Sequence, residues 1–165
     1  MMTACVHNEK AMLLRHVLTP ERICFLDATA KESVLGDMID LLAISTAVTD
    51  KEALRDAVFK REAIMSTGIG MGLAVPHVRM DSVGELAMAV GISHAGIDDY
   101  GSLDDQPVHL VFLIAAPSGA HVEYLRLLSA ISSRAKALDG CLLDCSDADA
   151  FYTLLVQTSG DSPSD

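Results

Sequence analysis

Residues 108–115 read VHLVFLIA, with one polar side chain among eight. A strand with one wet face would alternate polar and apolar residues. A nearly unbroken apolar run bounded by turn formers marks a strand covered on both faces. Such a strand belongs at the centre of a sheet and needs helices above and below it. The chain supplies candidates. Val34, Leu35, Met38, Ile39, Leu41 and Leu42 recur at helical spacing behind Thr29 and Glu32, which match a capping box. Ala53, Leu54, Ala57 and Val58 follow a second such pair, Thr49 and Glu52. Val122, Leu125, Leu128 and Ile131 trace another stripe, with Ser118 as its candidate N-cap. A last helix is expected over residues 147–156, with Ala148, Phe151, Leu154 and Leu155 inward. Leu13, Leu14, Val17 and Leu18 suggest an N-terminal helix stopped near Pro20. Shorter strands are expected over residues 22–26, 73–75 and 85–93, and a polar turn-rich loop over 96–107. Strands alternating with helices predict an α/β fold with helices on both faces of the sheet.

A length of 165 residues suits one domain, read here as residues 1–157, followed by a disordered tail at 158–165. Aromatic content is only 4%, so the core must be aliphatic. Twelve basic against 23 acidic residues give a net charge of −11, which disfavours nucleic acid and anionic membranes and suits a basic protein partner. No apolar run approaches the roughly 20 residues that cross a bilayer. His7, Glu9 and Lys10 interrupt what would be a signal-peptide core, so a cytoplasmic protein without membrane insertion is expected. Cys5, Cys24, Cys141 and Cys145 match no disulfide or zinc framework, and no cofactor or metal is expected. His94 and His109 read as satisfied strand-end residues. Asp98-Asp99 and Asp104-Asp105 read as a solvated loop.

The chemistry concentrates in residues 61–77, REAIMSTGIGMGLAVPH. Alternate glycines at 68, 70 and 72 permit positive φ or close backbone approach. Their N–H groups can line a concavity for an anion. Pro76 cannot donate to a ladder, so the strand over 73–75 is expected to end there and present His77.

This run resembles the active-site segment of phosphotransferase-system enzyme IIA components of the fructose, mannitol and nitrogen-regulatory class (type 2): Arg-Glu, then Ser-Thr-Gly-Ile-Gly, an apolar strand, and Pro-His. The resemblance extends more weakly over residues 18–156. It implies one mixed β-sheet of four or five strands flanked by helices on both faces. It also implies a phosphoryl carrier in which His77 accepts the group from the histidine-containing phosphocarrier protein. The group then passes to an enzyme IIB, or is held as a signal to a regulated protein. In that role Arg61 would neutralise the phosphoryl group, Ser66 and Thr67 would donate hydroxyl bonds, and Gly68 and Gly70 would let the backbone close in. The family has a second histidine near the start of a later helix. Here Tyr124 occupies the expected position and His121 lies one turn earlier, so either could stand in for it, with His121 the favoured one. Val78, beside the acceptor, departs from the family's small residue and is expected to narrow partner access. Arg79 adds positive charge near the site and could assist phosphate binding, although a solvated surface residue is the first reading. These departures motivate the alternative of a non-catalytic regulatory interaction module that keeps the enzyme IIA fold.

Overall fold

The computed structural model describes residues 2–138 and 140–157, with side chains from residue 8 onward. In chain order the elements are α1 (Met2–Val17), a 3₁₀ turn (Pro20–Arg22), β1 (Ile23–Phe25), α2 (Lys31–Leu42), α3 (Lys51–Ile64), β2 (Gly68–Gly70), β3 (Leu73–Ala74), β4 (His77–Arg79), β5 (Ala87–Ile97), β6 (Val108–Ala116), α4 (His121–Leu138), a second 3₁₀ turn (Cys141–Asp144) and α5 (Ala148–Val156). The tail and the Cys5 thiol lie outside the described part.

The apolar run is β6, and it is central as expected. The sheet order is β1-β5-β6-β3-β2, with β4 also pairing to β6. β5 runs antiparallel to β6, whereas β3 and β4 run parallel to it. The side chains of β6 divide by parity. Leu110, Phe112 and Ile114 join a core with α1, α4 and α5. Val111, Leu113 and Ala115 join a second core with α2 and α3. The continuous apolarity is therefore two alternating patterns interleaved, one for each layer of helices.

Six strands replace the four or five expected. Residues 68–70, read as loop, form β2 and pair antiparallel with β3. Pro76 then divides one strand line into β3 and β4. The ladder survives through the Pro76 carbonyl, which accepts the Ile114 N–H at 2.9 Å. β5 also continues four residues past Ser93, through a register shift between Ile92 and Ile97 at which Gly96 adopts φ +88°. The stripes of α2, α3 and α5 match, but α4 buries Tyr124, Leu127, Ala130 and Ile131 and leaves Val122 and Leu125 of its expected stripe exposed. The helix starts also differ from the sequence reading. Ala30 is the N-cap of α2 and offers no side-chain acceptor, and the Lys31 N–H is taken instead by Asp99 Oδ1 at 2.8 Å. Asp50, not Thr49, caps α3 through Ala53 N–H, while the Thr49 hydroxyl donates to the Ser82 carbonyl. α4 begins at His121, beyond Ser118. Carboxylates win over threonine hydroxyls at these positive helix ends because they bring a full charge to the macrodipole. α5 follows its expected bounds, with Asp147 as N-cap.

Candidate active site around His77

Pro76 closes β3, and His77 opens β4 opposite Ile114. Strand parity sends His77 and Arg79 to the α4 side of the sheet. Val78 goes the other way, into the core beneath α2 and α3. Its side chain is therefore floor rather than a screen across His77. The last turns of α3 bring Arg61 alongside. Ala57, Lys60, Arg61 and Ile64 from α3 meet His77, Val78, Arg79 and Ser118 around an open pocket of about 580 Å³.

The His77 ring is half-buried, and its Nδ1 lies 2.8 Å from the Val75 carbonyl. A carbonyl can only accept, so Nδ1 carries the proton and Nε2 keeps its lone pair. Burial pulls the imidazole pKa below its usual value. Arg61 and Arg79 push the same way, against the Val75 bond and Glu62. The ring is thus a neutral Nδ1–H tautomer at neutral pH. The Arg61 guanidinium is steadied by a bond from Nη1 to the Met65 carbonyl at 2.8 Å.

Both stand-ins for a second histidine approach this centre, by different routes. The Tyr124 ring lies 5.0 Å from His77, tilted by 40°. His121 sits further out, its Nδ1 2.9 Å from Arg79 Nη1. A guanidinium has no acceptor, so that nitrogen of His121 offers the lone pair in this contact. Arg79 also lies over the Tyr124 ring, at 5.9 Å from its centroid. Arg79 is exposed, as expected, and it also lines the pocket. Its place was legible in the sequence: two residues beyond His77 in a strand, it shares the face of that ring.

The hydroxyls and glycines upstream have other partners. Thr67 is buried, and its hydroxyl donates to Glu62 Oε1 while standing 3.0 Å from the Tyr100 hydroxyl. Ser66 donates to the Tyr100 carbonyl at 2.9 Å and accepts from Gly68 N–H. Gly68 is a glycine because a Cβ there would sit 2.9 Å from both the Gly101 carbonyl oxygen and Ser102 Cα. Gly70, Met71 and Gly72 all have positive φ. The anion at this turn is internal: Asp104 Oδ2 accepts the Met71 N–H at 3.0 Å. Bonds from Met71, Gln106 and Ser102 hold the Asp104 carboxyl below the usual carboxylate range. The structure therefore brings His77, Arg61, Arg79 and Ser118 together around the pocket, and sets Ser66, Thr67, Gly68 and Gly70 behind them as its frame.

Elsewhere, the His94 ring donates to the Leu143 carbonyl and stacks on Phe25, and His109 donates to the Ser93 carbonyl. Both are satisfied residues, as read. Cys24, Cys141 and Cys145 are free thiols, and burial pushes Cys24 up to about 11. Among the described residues there is no cluster fit to hold a metal ion, and no helix is long and apolar enough to cross a membrane.

A profile of the family described as "Phosphoenolpyruvate-dependent sugar phosphotransferase system, EIIA 2" matches residues 16–158. The chain is 37% identical over 149 residues to the PTS system fructose-specific EIIABC component of Bacillus subtilis, covering 88% of this chain and 23% of that protein, so it spans under a quarter of that relative's length. It is 33% identical to the PTS system fructose-specific EIIA component of Haloferax volcanii over 117 residues, 70% of this chain and 75% of that one. Among solved structures it is similar to the nitrogen regulatory protein IIA-Ntr of Neisseria meningitidis, with a TM-score of 0.77, 26% identity, and coverage of 87% and 99% of the two chains.

Proposed function

The chain belongs to the enzyme IIA type 2 family of the phosphoenolpyruvate-dependent sugar phosphotransferase system, and from that premise we propose that it carries a phosphoryl group on Nε2 of His77. The observation that supports this most is the neutral Nδ1–H imidazole in a pocket walled by two guanidiniums. In the transfer step the Nε2 lone pair attacks the phosphorus of a phosphohistidine on the histidine-containing phosphocarrier protein. The donor N–P bond breaks and its electron pair returns to the donor ring, while a new N–P bond forms on His77. The Nδ1–H stays on the Val75 carbonyl and steadies the ring as it becomes more positive. Arg61 and Arg79 offset the charge spread over the equatorial oxygens, and the Ser118 hydroxyl adds a donor. The group then leaves to a cysteine thiolate of an enzyme IIB, or remains as a signal read by a regulated protein. A cytoplasmic location goes with this role.

Incubation with phosphoenolpyruvate and the purified relay tests the reading. The expected product carries one acid-labile phosphohistidine, mapped by mass spectrometry to His77. A label on another residue would overturn the assignment. No label, with partner binding retained, would select the non-catalytic module, which Tyr124 in place of a second histidine favours.

Arg79 takes the part of that second histidine in this reading. Arg79→Leu is expected to slow transfer by about tenfold to a hundredfold, the usual cost of removing one charge-stabilising donor at the lower end. His121→Ala and Tyr124→Phe are expected to change it by less than about threefold, because one meets the pocket only through Arg79 and the other acts through its ring. Single-turnover labelling of the three variants decides the order.

A further inference from the structure

Glu62 follows Arg61 in α3, but its carboxylate is only 8% exposed, and the transfer step described above makes no use of it. It is ion-paired to Lys31 of α2, with Nζ to Oε2 at 2.9 Å. Lys31 completes its bonding on the Tyr100 carbonyl and the Ser66 hydroxyl, and lies 4.4 Å above the Tyr100 ring. Opposite, Glu62 receives the Thr67 hydroxyl proton and, more loosely, the Thr67 N–H. A threonine hydroxyl has one proton. With that proton committed to Glu62, the Thr67 oxygen must accept from the Tyr100 hydroxyl. Burial pushes the Tyr100 phenol well above its usual range, so it keeps the proton it donates. Every donor in this buried group has a defined direction.

The group continues into the acceptor. The Thr67 carbonyl accepts the Val75 N–H at 3.1 Å, and the Val75 carbonyl accepts His77 Nδ1–H at 2.8 Å. Val75 precedes proline, which confines its backbone to extended conformations. The direction of its carbonyl is then set by how its N–H is anchored, and that anchor is Thr67. We propose that Glu62 and Thr67, braced by Lys31 and Tyr100, are positioning residues that hold His77 in its Nδ1–H tautomer through the Thr67–Val75 backbone bond. The lock spans α2, α3, the turn before β2 and the loop after β5, so it ties the acceptor's ring to both helices on that face. A carboxylate–lysine pair buried only for stability would need no threonine and no route to the imidazole.

The kinetic half of this proposal rests on His77 as the phosphoryl acceptor; the tautomer half does not. Long-range proton–nitrogen NMR on the full chain reads the His77 tautomer directly. Wild type is expected to show Nδ1–H alone. Thr67→Val is expected to show a mixture with Nε2–H and to accept phosphoryl about tenfold more slowly, as loss of a partner that orients a histidine does. Thr67→Ser should restore both. Glu62→Gln, which keeps the shape but not the charge, should move both readouts in the same direction by about threefold. It decides the matter on those readouts if Thr67→Val does not fold. Variants that unfold cooperatively yet keep the wild-type tautomer and rate would overturn the lock. A shifted tautomer in a protein that takes no label at all would count against His77 as acceptor while leaving the lock in place.

Discussion

His77→Ala is expected to abolish labelling by the phosphotransferase relay while leaving the protein folded. The substitution removes the nucleophile itself, so no residual rate from positioning can replace it. His109 is half-buried and tied to the Ser93 carbonyl, and His94 bonds the Leu143 carbonyl far along the chain; neither has two guanidiniums beside it. His121 faces Arg79 with a lone pair but lacks a carbonyl to hold its other nitrogen in the way Val75 holds His77. The stability cost is expected to be about 1 kcal/mol or less, since the ring is half-exposed and gives up one hydrogen bond. Intact-mass analysis after incubation, beside a thermal unfolding scan, reads both quantities. Equal labelling of wild type and His77→Ala would end the assignment. The pH dependence follows from burial of the ring. In the folded state His77 binds a proton less readily than in the unfolded chain, where its pKa is near the ordinary 6.5. The neutral, nucleophilic form therefore persists below pH 6.5, and the acid limb of the labelling rate is expected there. By the same sign, the small stability that comes from keeping this ring neutral is present above pH 6.5 and is lost as pH falls below it.

Phe112→Ala is expected to destabilise the protein by about 3–5 kcal/mol, a large part of the stability of an ordinary domain. Phe112 is fully buried at the middle of β6, the strand on which β3, β4 and β5 all depend. Its ring fills the core shared with α1, α4 and α5. Chemical denaturation should show a lower midpoint with an unchanged slope. A loss below about 1 kcal/mol would mean that the aliphatic neighbours collapse into the space.

The layered fold was legible because periodicity is a property of each segment: the parity of β6, the stripes of α2, α3 and α5 and the break at Pro76 are all written locally, whereas the α4 face was read through Val122 and Leu125 instead of Tyr124 and Leu127. The place of His77 at a strand start was legible for the same reason, since Pro76 and His77 are adjacent, while its proposed role came from the resemblance of the whole run over 61–77. What could not be read was anything closed by distant chain. Asp99 caps α2 from 68 residues away, and Asp104 meets Met71 from 33 residues away. The capping boxes at Thr29 and Thr49 were sound local patterns overtaken by a stronger carboxylate within reach. Thr67 looked like a phosphoryl ligand because its partners, Glu62 and Tyr100, are arranged around it only by the fold. Arg79 is the exposed charge the sequence suggested, and strand parity from His77 is what puts it beside the pocket.

The stretch between β5 and β6 carries a practical warning. By composition it is the obvious place to splice in an epitope tag or a fluorescent reporter. Yet Asp99 begins a helix, Tyr100 is 1% exposed and hydrogen-bonded beside Thr67, and Asp104 fastens the glycine hairpin. A cassette inserted there would detach three separate parts of the molecule at once, and a fusion of that design would report on a broken protein.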